Sequence, residues 1–183
     1  MRASKTAFSS VLAVTLAALC FIVPGDADAK LAASGGSAVF HAKATPGDLS
    51  IDGTTSEVAV ADDGTSVTVT VQLGNVTTGI GLRDRHTKKF LEVIRFASTS
   101  LVVPRAQLNF NGGSGDASGA LMIHGVTKQT PFHYTATKNG TTFTVKGTTH
   151  IKLTDFGIEV PSYLGVTVKN DVDVDVSFTA VDA

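Results

Sequence analysis

The sequence predicts an all-β fold made of short antiparallel strands, each with one apolar face. Three observations carry this. Apolar and polar residues alternate with period two through most of the chain beyond residue 30, tight-turn dipeptides separate the runs, and only one stretch has helical spacing.

The first 29 residues stand apart. Arg2 and Lys5 precede an apolar run from Ala7 to Val23, and Ala27-Asp28-Ala29 then offers a small-residue cleavage site before Lys30. This is expected to be a signal peptide (1–29), leaving one domain (30–183) in a periplasmic or secreted compartment. Ser9, Ser10 and Thr15 interrupt the run, and it ends at Pro24-Gly25 instead of a basic stop, which argues against an anchor. A lipidated Cys20 is disfavoured because Leu19 stands where a small residue is wanted. Cys20 is the only cysteine, so the expected mature domain has no disulfide and no thiol chemistry.

The clearest strand is Val67, Val69, Val71 and Leu73 against Thr68, Thr70 and Gln72. A second row is Phe143, Val145, Thr149, Ile151 and Leu153, opposed by Thr144, Lys146, Thr148, His150 and Lys152. A third is Val172, Val174, Val176 and Phe178, opposed by Asp171, Asp173, Asp175 and Ser177. Shorter strands are expected over 37–44, 48–51, 56–60, 99–103, 106–110, 117–124 and 130–137. Asp63-Gly64 and Asn139-Gly140 accept the positive φ of tight hairpins, so neighbours are mostly antiparallel. Asn111-Gly112-Gly113-Ser114-Gly115 reads as a longer hairpin loop. About eight to ten one-sided strands need a second sheet or closure on themselves to bury their apolar faces.

One segment breaks the period. Leu82, His86, Phe90 and Val93 fall near helical spacing, with Arg83, Asp84, Arg85, Lys88 and Lys89 around the rest of the turn. Such a helix either closes one end of a barrel or crosses its surface.

Composition excludes some functions. Removing Arg2, Lys5, Asp26 and Asp28 from 15 basic and 16 acidic residues leaves 13 and 14, a balance that argues against a nucleic-acid partner. No stretch of the expected domain has the length and apolarity of a membrane-crossing helix. An integral outer-membrane barrel is disfavoured too: the polar faces are rich in Thr, Lys and Asp, and two tyrosines cannot make aromatic girdles.

Three stretches resemble the YceI-like, polyisoprenoid-binding family of lipocalin-like proteins. Thr78-Gly79-Ile80-Gly81-Leu82-Arg83-Asp84-Arg85-His86 with Phe90-Leu91-Glu92-Val93 is similar to the family's TG…RD.H…(F/Y)L.V pattern. Gly119-Ala120-Leu121-Met122-Ile123-His124-Gly125-Val126-Thr127-Lys128 is similar to its G.L.IHGVTK strand and turn. Asp155-Phe156-Gly157-Ile158, running on to Val168-Lys169-Asn170-Asp171-Val172-Asp173-Val174, is similar to its DFGI segment and final strand. The motifs span about residues 37–180 in the right order. Ala97 after Phe96, where the family often has an aromatic-Pro pair, and a loose match over Val39 to Ala44 are departures.

The resemblance implies an extended antiparallel, lipocalin-like barrel of about eight strands with a short helix at one end, whose apolar pore holds a polyisoprenoid, a prenyl quinone or another lipid. The pore-lining residues expected on that reading are Val69, Val71, Leu82, His86, Phe90, Leu121, Ile123, Phe132, Phe143, Ile151, Val172, Val174 and Phe178. Arg83, Arg85 and Lys128 are expected at a rim that receives a polar head group, although a solvated helix face would hold the same residues. Valine-rich rows alone do not separate an open pore from a filled core.

The other constellations are weak. Asp84 and His86 diverge on a helix and form no acid-base pair. There is no GxSxG, HExxH or phosphate loop. His124 before Gly125 is expected to hydrogen-bond a turn, and Asp171, Asp173 and Asp175 to face solvent instead of holding calcium. No catalytic residue, metal or cofactor is expected. An enzyme acting on an apolar substrate in the same pocket, with His86 as base, is the alternative, and its weakness is the lack of a partner to orient His86. A membrane-associated donor or acceptor protein and a pairing of two barrels are left open.

Overall fold

The computed structural model describes residues 31–182, so the expected signal segment lies outside the described residues. In chain order the elements are β1 (Leu31–Thr45), β2 (Leu49–Thr55), β3 (Val58–Asp62), β4 (Ser66–Gln72), α1 (Gly81–Phe90), β5 (Ser98–Pro104), β6 (Gly113–Ile123), β7 (Val126–Asn139), β8 (Thr142–Lys152), β9 (Ser162–Tyr163) and β10 (Val166–Asp182). All strand pairings are antiparallel.

The sheet closes on itself. Neighbours follow one another from β3 through β8 to β10, and β10 returns to β1, with Leu31 opposite Asp182 and Ala42 opposite Val172. β2 and β3 both pair with β1 and act as two halves of one wall strand, while β9 is a short addition to β10, so the ring has eight members. Closure gives every one-sided strand an inside, which settles the choice between barrel and sandwich.

The two ends of the barrel differ. At one end lie the β3–β4 loop, the 105–112 segment and the β7–β8 turn. Leu31, Val67, Phe143 and Ala180 are buried there, and Leu108 and Phe110 fold in against them. Arg105 lies over the Phe110 ring, 4.2 Å from its centroid. Asp62, whose side chain is fully buried, accepts from Arg105, from Leu31 N at 3.3 Å and from Gly64 N at 2.9 Å. This end is plugged.

At the other end lie α1 and the segments 46–48, 73–97, 124–125 and 153–165. A core of Ala42, Ala44, Ile51, Leu121, Ile151, Phe156, Ile158 and Val172 packs below it. β2 does not reach β4. The 73–97 segment enters that gap, tied to the wall by Thr54 and Thr77, which exchange backbone hydrogen bonds of 2.8 and 2.9 Å. α1 has no side-chain cap at Ile80. Asp84 anchors its start instead, accepting from Thr78 N at 2.6 Å, Thr78 Oγ1 at 2.5 Å and Thr77 Oγ1 at 3.0 Å. The Thr78 hydroxyl bond, first among these, holds the Asp84 carboxyl below the usual range.

Two expectations fail here. Residues 106–110 are no strand: Arg105–Gln107 form a single 3-10 turn, and the alternation of Leu108 and Phe110 serves the plug instead of a sheet. Nor is Asn111–Gly115 a loop throughout, because Gly113, Ser114 and Gly115 pair with Ala136, Thr135 and Tyr134 in β6. Glycine belongs there: a Cβ on Gly115 would sit 3.2 Å from the Tyr134 ring.

Candidate functional site

The inward faces enclose a cavity of about 630 Å³ that is walled almost wholly by apolar side chains. That volume lies within the range of pockets that take whole small-molecule ligands, roughly 300–1,000 Å³. At the plugged end its lining residues Leu31, Val67, Val103 and Phe143 are buried; at the α1 end its lining residues Leu49, Ile80, Leu82, Tyr163, Leu164 and Val166 are exposed. The lining is therefore most exposed at the α1 end, while at the other end Leu108 and Phe110 fold over it and Asn109 alone of the three is exposed.

Each wall position follows from strand parity. β4 contributes Val67, Val69 and Val71, β6 Leu121 and Ile123, and β7 Phe132, Tyr134 and Ala136. β8 contributes Phe143, Val145, Gly147, Thr149 and Ile151, and β10 contributes Val172, Val174, Val176 and Phe178. α1 adds Leu82, Arg83, His86 and Phe90 at the mouth. The structure thus brings to one cavity all thirteen residues expected to line a pore. Sequence reasoning missed the plug residues Leu108, Asn109 and Phe110 and the mouth residues Ile80, Tyr163 and Leu164, whose places depend on loop paths that carry no period.

Gly147 is a gap in the wall. A Cβ built there would meet only His133 O, at 3.9 Å, so the space beside it is open. Gly53 is the opposite case: the Phe40 ring lies across it, 2.1 Å from where a Cβ would be.

The polar groups at the mouth are few. Arg83 lines the cavity and donates from Nη2 to Thr78 O at 2.6 Å, while its Nε is buried without a partner. The other two residues expected at the rim do not line the cavity. Arg85 is exposed on α1, and Lys128, although it sits opposite inward-facing Leu121, turns to Asp155 at 3.5 Å. His86 packs against Tyr163, with ring centroids 4.7 Å apart. His124 corrects an expectation. It stands at positive φ in the β6–β7 turn with its ring tilted against Phe96, centroids 4.4 Å apart, and its buried Nε2, 3.7 Å from Glu92, has no hydrogen-bond partner.

The remaining histidines lie on the outer wall, where the register sets them beside carboxylates. Asp52, His41, Asp173 and His150 follow one another across β2, β1, β10 and β8. His41 Nδ1 is 2.8 Å from Asp52 and Nε2 3.3 Å from Asp175; His150 Nδ1 is 2.7 Å from Asp173 and Nε2 3.0 Å from Asp171. His133 is 2.8 Å from Asp116. Among the described residues no group of three or more His, Cys, Asp or Glu side chains is arranged to hold a metal ion. No carboxylate pairs with His86 among them either.

This ladder has a pH signature. Hydrogen bonds donated to Asp52 and to Asp173 raise the His41 and His150 pKa values above the usual one. Because the folded values are raised, their contribution to stability is full below about pH 6.5 and is lost as pH rises through them. Asp48, Asp84 and Asp171 are held low by bonds from Lys169, Thr78 and Lys152, so their contribution is full above about pH 4 and is lost on acidification through the folded values. The melting temperature is expected to peak between those limits. Exposure keeps the effect small. His150→Asn should flatten the alkaline limb in a series of thermal melts, and an unchanged limb would show that the ladder is not its source.

The comparisons agree with this geometry. A family model described as the YceI-like domain matches residues 30–180. A UPF0312 protein of Pseudomonas fluorescens is 32% identical over 136 residues, covering 68% of each chain. One from Pseudomonas savastanoi pv. phaseolicola is 31% identical over 140 residues, 71% of this chain and 69% of the other. Among solved structures, a polyisoprenoid binding domain from Saccharophagus degradans implicated in plant cell wall breakdown superposes with a TM-score of 0.69 at 14% identity, covering 84% of this chain and 98% of that one. Burkholderia cenocepacia BcnA follows with a TM-score of 0.63 at 18% identity, covering 79% and 96%. Those two likenesses establish the shared fold. The family match over nearly all of the barrel, with relatives at about a third identity, establishes the lineage: this chain belongs to the YceI-like domain family.

Proposed function

We propose that the protein is an exported, soluble carrier or storage protein that holds a long apolar ligand, of the polyisoprenoid, prenyl-quinone or similar lipid class, in its barrel cavity. The observation that carries this is the cavity itself: apolar along its length, plugged at one end and open at the other. An apolar void of this size facing water is costly unless something fills it. A polyisoprenoid-binding domain shares the fold.

The driving force suffices. Burial of apolar carbon yields about 0.8 kcal/mol per CH₂, so one isoprene unit contributes on the order of 3 kcal/mol before association costs. Three or four units inside would outweigh those costs and leave micromolar or tighter binding. With so few polar groups along the wall, selectivity should follow tail length and bulk. Native mass spectrometry of detergent-free protein is expected to show a bound lipid or uptake of an added prenyl quinone. Protein that stays empty and rejects such quinones would end the proposal.

His86 serves as wall, packed on Tyr163, and His124 as turn, packed on Phe96. His86→Ala and His124→Ala are therefore expected to bind ligand within a few fold of wild type. Loss of a measurable turnover in either variant would favour an enzyme instead.

A further inference from the structure

The exposed apolar side chains are not scattered. Among the described residues every exposed large hydrophobic side chain lies at the α1 end of the barrel, and Leu49, Ile80, Leu82, Tyr163, Leu164 and Val166 also line the cavity. They come from three separate segments, the start of β2, the entry to α1 and the β9–β10 hairpin, and the His86–Tyr163 contact ties the last two together. Scattered single apolar residues need no explanation; a ring of them around one opening does.

Leu164 makes the case sharpest. It is 86% exposed at the hairpin tip, at φ 48°, followed by Gly165 at φ 79°. A two-residue turn with both φ values positive favours Asn-Gly, and leucine is poorly suited to the first position. The side chain gains little from the fold around it.

Charge says what the ring meets. α1 carries Arg83, Arg85, Lys88 and Lys89 against Asp84, whose carboxylate is turned back onto Thr77 and Thr78. Of the other acids at this end, Asp48, Glu92 and Asp155 are paired with Lys169, Arg95 and Lys128, and Glu159 is exposed in the 153–165 segment, so the positive charge is concentrated on α1 itself. Apolar side chains beside a cationic helix match an anionic lipid surface, where apolar groups enter the acyl boundary and lysines remain among the head groups. A second copy of the chain, placed mouth to mouth, would bring two cationic helices together.

We propose that the open end of the barrel is a membrane-docking face: the mouth ring dips into an anionic bilayer, with α1 against the phosphates, so that a lipid enters the cavity without crossing water. This rests on the lipid-carrier reading for its purpose, but its test stands apart. The probe is an environment-sensitive fluorophore on Leu164→Cys, with Thr141→Cys at the plugged end as control, both in a Cys20→Ser background so that one thiol is labelled. Vesicles of phosphatidylglycerol and phosphatidylethanolamine are compared with phosphatidylcholine alone. The expected result is dehydration of the label at 164 on the anionic vesicles, none at 141, and a loss of vesicle partitioning of more than about tenfold at low salt in Lys88→Glu combined with Lys89→Glu.

A label at 164 that stays wet on anionic vesicles overturns the proposal. So does dehydration without vesicles that grows with protein concentration, which would identify a second copy as the occupant. Prenyl-quinone uptake is measured on the same samples. Uptake without docking removes the docking face and leaves the carrier, whereas docking without uptake removes the carrier and leaves the face.

Discussion

Gly147→Phe is expected to reduce capture of a long prenyl ligand by at least about tenfold, equivalent to 1.4 kcal/mol, while the empty barrel melts no lower than wild type. Gly147 faces inward midway along β8, opposite Tyr134 on one side and Val176 on the other, with open space where its side chain would begin. A phenyl ring there takes volume from the ligand. It also removes a glycine from a strand interior, where glycine costs about 0.5–1 kcal/mol relative to alanine. A solidly packed interior predicts the reverse, a loss of about 1–3 kcal/mol from side chains forced off their rotamers. Thermal melts beside quinone titration separate the two, and a lower melting temperature with unchanged binding would mean that ligand does not use this space. Ile151→Phe is a poorer probe, because Ile151 packs within the core of Phe156, Ile158 and Val172 and the larger ring would strain it in either case.

The second large effect is expected at the plug. Asp62→Ala should cost about 1–3 kcal/mol for each amide it leaves without an acceptor, because the buried carboxylate that receives the Leu31 and Gly64 N–H groups, and that Arg105 also meets, is gone. In a domain of this size that lowers the melting temperature by on the order of 10 °C. Ligand capture should survive at temperatures where the protein is folded, since the plug is remote from the mouth. A change under about 1 kcal/mol in denaturant melts would show that water replaces the carboxylate and that the plug is loosely held.

The strands that read clearly from sequence are those whose two faces differ. Val67 to Leu73 alternates because one face meets a cavity and the other water, and nothing interrupts it. β1 was expected over 37–44 and begins at Leu31, because Gly35 and Gly36 carry no pattern and the register shifts between Ala33 and Gly35. β6 hides its first residues in the same way, behind glycine and serine. Leu108 and Phe110 misled for the converse reason: two apolar residues spaced by two fit a strand and a plug equally well. The wall of the site was legible because parity alone points a side chain inward. Its mouth was not, because Ile80, Tyr163 and Leu164 owe their places to loops, and the His–Asp ladder needs cross-strand register that no single strand contains.

The pairing of β1 with β10 also bears on how the barrel forms in time. Leu31 and Asp182 lie at opposite ends of the described chain, so the ring stays open until the last strand arrives. Contacts this distant in sequence make for slow folding, and until they form, seven one-sided strands present their apolar faces and two free edges to the surroundings. A chain cut before Val166 should lack cooperative unfolding altogether, and β10 should be the rate-limiting strand: destabilising substitutions at its pairing with β1 are expected to slow refolding more than they speed unfolding.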